Sequence, residues 1–153
     1  MSELTHVDDR GAARMVDVSR KDVTDRTARA AGAILMAADT LQAIRDNALS
    51  KGDVLAVART AGIMAAKRTA ELVPLCHPLP ITAVEISFEL QPDPPAVIVE
   101  ATVRTVARTG VEMEALVAAG IALITVYDMA KSMDRAMTVT DLRVVEKKGG
   151  RSG

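Results

Sequence analysis

The chain has 153 residues, with 26 Ala, one Cys, one Phe, one Tyr and no Trp. That length suits one domain, whose core must be small aliphatic side chains and Met on closely approaching elements. Hydrophobic residues make up 49% and charged residues 25%, and 19 Lys and Arg face 20 Asp and Glu for a net charge of −1; this excludes disordered, fibrous and generally basic nucleic-acid-coating chains, so any anionic ligand needs a local basic cluster.

Residues 1–14 are polar and aperiodic and read as a flexible N-terminal segment, with 15–153 as a single domain. Met15-Val16-Asp17-Val18 is a short apolar patch, either a strand or an anchor. Residues 25–36 alternate Ala28, Ala30, Gly32, Ile34 and Met36 with Arg29, Ala31, Ala33 and Leu35. The alternation favours a strand over the helix that alanine richness would allow. Asp39 or Thr40 then offers an N-cap for a helix over 39–48. Lys51-Gly52-Asp53 breaks that helix, and Asp53 can cap the next, over 53–72, where Val54, Val57, Ala58, Ala61, Ala65 and Leu72 recur at helical spacing.

Three prolines in Pro74–Pro80 rule out regular structure there. Residues 81–91 alternate Val84, Ile86, Phe88 and Leu90 with Glu85, Ser87, Glu89 and Gln91. Residues 97–106 alternate likewise beyond a turn at Pro92–Pro95, so the two runs predict an antiparallel hairpin. Gly110 precedes a long helix, 111–134, apolar all round in its middle, which points to burial on several sides and to a subunit interface. Residues 138–147 predict a last strand, and Lys147–Gly153 a Gly-rich basic tail. The order is βαββαβ with one extra helix, an α+β ferredoxin-like sandwich. Helices cover one face of its antiparallel sheet, and the other face is covered by another chain or left polar.

Cys76 is alone, so no intrachain disulfide forms, and with His6 and His77 it leaves too few ligands for a Cys/His zinc site. The longest charge-free apolar run, Ala115 to Tyr127, is too short to span a bilayer, so a soluble cytoplasmic protein is expected. The rigid Pro74–Pro80 loop is a platform for His77, or equally a stiff connection with His77 at the surface. Cys76 reads as a small buried hydrophobe before a nucleophile. Glu112 and Glu114 fall in the first turn of the long helix, where carboxylates complement the macrodipole. Asp128 and Lys131 share a face near its other end, as an ordinary surface pair or as part of a site. Lys67 is either a pocket cation or the i,i+4 partner of Glu71. No Walker A or G-x-G-x-x-G pattern is present.

Several segments occur together in order: Lys51-Gly52-Asp53, Ala61-Gly62-Ile63, Ala65-Ala66-Lys67-Arg68-Thr69, Pro74-Leu75-Cys76-His77-Pro78-Leu79, Thr109-Gly110-Val111-Glu112-Met113-Glu114-Ala115 and Tyr127-Asp128-Met129-Ala130-Lys131, preceded by Met15-Val16-Asp17-Val18. In this combination the chain closely resembles the cyclic pyranopterin monophosphate synthases, the MoaC family of molybdenum cofactor biosynthesis, from about Leu4 to Gly153. The resemblance implies a lyase that converts 3′,8-cyclo-7,8-dihydro-GTP to cyclic pyranopterin monophosphate with release of pyrophosphate. It also implies a ferredoxin-like fold and a homohexamer, a trimer of dimers with active sites at the dimer interface. Asp128, Lys131 and Lys51 match the family's catalytic positions. Leu75, Cys76, His77, Met113 and Glu114 match substrate contacts, and Arg26, Lys67, Glu112 and Lys147 match further polar positions of the pocket.

No redox cofactor or dedicated metal is implied, although a magnesium ion could accompany the substrate triphosphate. The implied substrate is a small nucleotide derivative, with hand-over from the preceding radical enzyme as a further partner; neither nucleic acid nor membrane is expected. One departure stands in the tail, where the family pattern has Lys and this chain has Arg151; the charge is kept. No aromatic side chain is placed to stack a pterin, so base recognition falls to hydrogen bonds and to aliphatic contacts such as Met113. The residue types suit the chemistry: clustered cations for a triphosphate, and lysines that exchange protons when crowded by other cations, tuned by Asp128. Two other classes fit less well: a nucleotide-sensing regulatory module has no use for the Lys51, Asp128, Lys131 set, and an RNA-binding domain of the same topology stacks bases on sheet aromatics, while this chain has only Phe88 and Tyr127.

Overall fold

The computed structural model describes residues 5–150. The predicted substitution site Arg151 lies outside the described residues. The elements run β1 (Thr24–Leu35), α1 (Ala38–Arg45), α2 (Val54–Lys67), α3 (Thr69–Leu72), β2 (Ile81–Pro92), β3 (Pro95–Ala107), α4 (Glu112–Ala130) and β4 (Thr138–Lys148). The sheet order is β2-β3-β1-β4 and every neighbouring pair is antiparallel. This is the α+β ferredoxin-like arrangement that the element order predicted.

The alternation in the strands becomes the two faces of the sheet. Ala28, Ala30 and Ile34 on β1 lie beside Val103, Ala101 and Val97 on β3, all fully buried beneath the helices. The opposite face is charged. Arg29 bridges Glu100 at 2.8 Å and Glu146 at 3.1 Å, and Arg104 reaches Glu85 at 3.4 Å. Of the two alternatives for that face, the single chain shows the polar one.

α4 is the core helix. It packs on α2, β1 and β3, and Ala115, Ala118, Ala119, Ala122, Leu123 and Val126 have no exposure. By length and composition it could cross a bilayer, but half of it lies inside the fold. Alanines let α2 approach closely, and Gly62 lets it approach further. A Cβ at Gly62 would meet Ile86 Cδ1 and, at 2.9 Å, the carbonyl oxygen of Ala118. Gly costs a helix about 1 kcal/mol against Ala, a cost tolerated here because the crossing needs the space. One side of α4 stays open, where Ile124 is 56% exposed and an apolar groove runs past Leu116, Val117 and Ile121 to Leu72 and Leu142.

Several boundaries differ from expectation. The predicted helix 53–72 starts as expected, with Asp53 accepting from the Ala56 N–H at 3.1 Å, but it breaks at Arg68. The Thr69 hydroxyl donates to the carbonyls of Ala65 and Ala66, and the Arg68 N–H makes a short i−3 bond, so the ladder stops. That break removes the i,i+4 geometry of Lys67 and Glu71, and they form no ion pair. The helix over 39–48 ends at Arg45, since Asn47 takes φ +53. The long helix ends at Ala130 instead of 134, closed by a Met133 N–H to Ala130 bond. Neither Asp39 nor Thr40 caps α1. Met15–Val18 forms no strand; Val16 serves as an anchor, as described below.

Candidate active site

The residues singled out in the sequence form two clusters, one at each end of α4. At the C-terminal end, Asp128 stands in the last helical turn and Lys131 is the C-cap. Three residues of spacing put them on one face, and Lys131 Nζ lies 3.0 Å from Asp128 Oδ1. Lys51 comes from the α1–α2 loop, next to Gly52 at φ +103, a backbone turn that suits Gly. Its Nζ donates to the Asp128 carbonyl oxygen at 2.9 Å and sits 3.5 Å from Asp128 Oδ2. One carboxylate therefore holds two ammonium groups. The hydrogen bond and charge of Lys131, then the charge of Lys51, keep the Asp128 carboxyl below the usual carboxylate range. All three side chains remain open to solvent, at 42–57% exposure, so the ion pairs contribute little stability.

The N-terminal end of α4 carries the second cluster. Glu114 is 3% exposed, and Cys76 Sγ lies 3.8 Å from its Oε1. Burial lifts the Glu114 carboxyl from the usual 4.5 to about 7, with the nearby Glu112 charge adding to the effect. Burial, with Glu114 behind it, lifts the Cys76 thiol to about 11. Cys76 is thus a protonated weak donor at neutral pH and not a nucleophile.

His77 Nε2–H donates to the Val16 carbonyl at 2.6 Å, which fixes the orientation of the ring. Glu112 pairs with Lys147 at 3.2 Å; the same Oε1 makes no aligned hydrogen bond, so the contact is one of charge. Its carboxylate folds over Gly110 in space that a Cβ there would need. Leu75, Cys76, His77, Met113 and Glu114 line a cleft of about 350 Å³. Lys67 joins His77 and Glu114 around a smaller adjoining hollow.

Arg26 reaches the same end of α4 and is 9% exposed, with part of its guanidinium held by backbone carbonyls. Nε donates to the Ala107 carbonyl at 3.0 Å and Nη2 to Arg108 at 3.1 Å. It shapes the turn leading into α4. His6 and Thr109, assigned no place in the pocket from the sequence, also line the cleft. No periodicity marks them; the fold-back of the N-terminal segment onto His77 brings His6 there. Among the described residues, no group of three or more His, Cys, Asp or Glu is arranged to hold a metal ion.

The buried Glu114 has a measurable consequence. Its carboxyl is protonated in the fold between about pH 4.5 and 7, while in the unfolded chain it ionises above its ordinary value. Stability contributed by the protonated form is therefore full below pH 4.5 and is lost as pH rises toward 7. Urea unfolding of wild type and Glu114→Gln across this range should show wild type losing up to about 3 kcal/mol more than the variant. Parallel curves would refute the buried neutral carboxyl.

The two clusters do not meet within one chain. Fourteen residues separate Glu114 from Asp128, about 21 Å of helix at 1.5 Å per residue. The arrangement defines the class: a ferredoxin-like α+β enzyme domain with charged and titratable groups at both ends of one core helix.

The comparisons with known proteins agree with that class. The family model described as the MoaC family matches residues 15–150. The cyclic pyranopterin monophosphate synthase of Thermomicrobium roseum is 58% identical over the whole chain and 92% of its own length. That of Dinoroseobacter shibae is 59% identical over the whole chain and 97% of its length. Cyclic pyranopterin monophosphate synthase 3 of Mycobacterium bovis is 62% identical over 98% of this chain and 84% of its own. The chain belongs to the MoaC family, and it is an enzyme of molybdenum cofactor biosynthesis.

Proposed function

We propose that the chain converts 3′,8-cyclo-7,8-dihydro-GTP to cyclic pyranopterin monophosphate and pyrophosphate. The observation that carries this reading is the Lys51–Asp128–Lys131 arrangement, two ammonium groups on one exposed carboxylate, in a chain whose relatives bear the synthase name. Forming a cyclic monophosphate from a triphosphate means intramolecular attack at the α-phosphorus, with pyrophosphate leaving. Lysines beside the reacting phosphorus stabilise the added negative charge. They also exchange the protons needed while ribose and purine carbons rearrange. Asp128 orients both lysines. In the second cluster, Glu112 and Glu114 accept hydrogen bonds from the guanidine-like edge of the base, and Met113 supports its face. His77, Lys67 and Lys147 supply positive charge or hydrogen-bond donors. The reaction has no net redox step and calls for no redox cofactor; magnesium accompanies the triphosphate if a metal takes part.

The working site in this reading is shared between two copies. The apolar groove on the open side of α4 suits the same helix of a second copy. Antiparallel pairing about a two-fold axis sets the Asp128 end of one helix against the Glu114 end of the other. Dimers of this kind, assembled in threes, give the homohexamer that the family resemblance implies. The enzyme acts in the cytoplasm and receives its unstable substrate by hand-over from the radical enzyme before it.

The test is pyrophosphate release from freshly made 3′,8-cyclo-7,8-dihydro-GTP, with GTP as control. Release from the cyclised substrate alone, with a pterin product, is expected. Tight binding without release would favour a nucleotide-sensing module instead.

A further inference from the structure

The turn that follows Lys131 is held from outside the site. The N-cap of α1 is Ala37, which has no side chain that can cap the helix. The cap comes from 97 residues further along the chain. Asp134 Oδ2 accepts from the Ala37 N–H at 2.8 Å and from the Thr40 hydroxyl at 3.2 Å. Thr40 is 1% exposed, so this end of the contact is anchored in the core. The other carboxylate oxygen accepts from the Ala136 N–H at 3.1 Å, within the turn itself. A second tie comes from the helix: the Tyr127 hydroxyl donates to the Arg135 carbonyl at 2.9 Å. Tyr127 also accepts the Lys131 N–H on its own carbonyl at 2.8 Å.

We propose that Asp134, assisted by Tyr127, is a positioning residue: it pins the turn after α4 to the start of α1 and thereby holds the Lys131 ammonium on Asp128. The inference rests on the proposed role of Lys131 for its consequence in catalysis, but not for its geometry. A Lys side chain has four rotatable bonds and loses much rotamer freedom when held in one place. At a helix C-cap its backbone is the part that frays first. Two hydrogen-bonded ties on the next residues remove that fraying. Thr40 and the first turn of α1 supply a rigid base for them.

The test uses Asp134→Ala, Asp134→Asn and Tyr127→Phe in the full chain, with two readouts. The first is the Asp128 carboxyl titration, followed by carbon NMR, which requires no turnover. The groups that face this carboxyl are Lys51 and Lys131. In Asp134→Ala the loosened Lys131 should let Asp128 titrate at higher pH than in wild type, with a smaller shift in Tyr127→Phe. The second readout is steady-state kinetics on the cyclised substrate. For Asp134→Ala, kcat should fall about 10-fold or more with KM within about threefold, since small misplacements of a reacting group act on the chemical step. Asp134→Asn keeps an oxygen for Ala37 and Thr40 and should recover most of that loss. The acid limb of the kcat profile should move up in the same order as the NMR titration.

An Asp128 titration identical to wild type in folded Asp134 variants overturns the inference, whatever the activity. So does a loss of thermal stability with unchanged kcat, which would leave Asp134 as a helix cap alone. Should Asp134→Ala not fold, Asp134→Asn and Tyr127→Phe decide by the same criteria. A wild-type chain inactive on the cyclised substrate would instead refute the proposed reaction, with the titration still judging the positioning role.

Discussion

Asp128→Asn should lower the rate of pyrophosphate release by about 10²–10⁴-fold, the range usual for loss of a group that serves proton transfer. The exchange keeps the shape of the side chain and removes its charge. Two ammonium groups that shared one carboxylate, at 3.0 and 3.5 Å, would then repel each other with no anion between them. Lys51 would retain its hydrogen bond to the Asp128 backbone carbonyl, while Lys131 would lose its charged partner. Fold stability should barely change, because exposed ion pairs contribute about 0–1 kcal/mol. The distinguishing result is thus a large fall in kcat at a nearly constant unfolding midpoint, measured by single-turnover release and thermal melting. Near-normal turnover would remove Asp128 from the mechanism.

The second large effect concerns the distance between the clusters. Asp128→Asn and Glu114→Gln should each be nearly inactive alone, and active again when co-assembled. With 1:1 random pairing, half of the dimers are mixed. Each mixed dimer would have one site free of both substitutions and one carrying both, given the proposed two-fold pairing of opposite α4 ends. Recovered activity should therefore approach about one quarter of wild type, well above the sum of the two single variants. Without subunit exchange, mixing the separately assembled variants should give no gain. A co-expressed mixture that stays at the level of its components would mean that each site is built from one chain. That outcome would require the helix ends to be brought together by a rearrangement of about 21 Å, which a packed core helix does not undergo.

Asp134→Ala belongs to the same end of the molecule as Asp128→Asn, and the two differ in what they leave behind. The first leaves the charges and loosens their placement; the second keeps the placement and removes the charge. Comparing their kcat losses would show how much of the Lys131 contribution depends on being held still.

Local patterns determined much of the molecule. Alternation in 25–36, 81–91 and 97–106 specified three strands, because side chains on a strand alternate faces and only one face here is buried. Asp53 capped its helix as its position implied, since an N-cap contact spans only three residues. The spacing of Asp128 and Lys131 put them together on one turn for the same local reason. The ordered segments from Met15 to Lys131 suffice by themselves to place the chain in its family. Where contacts were distant in the chain, the sequence was silent. It offered Asp39 and Thr40 as caps for α1, but the cap is Asp134, brought there only when α4 has packed. It gave no sign that part of the Arg26 guanidinium is held by backbone carbonyls at the end of β3. It ran one helix through Arg68, where the Thr69 hydroxyl competes for the carbonyls that would have continued it. Above all, it gave no measure of the separation between Glu114 and Asp128, which α4 holds at its two ends. Identity and spacing along a chain specify what a turn or a strand can do; which distant groups meet is decided by how rigid elements pack, and a core helix of this length keeps its two ends apart.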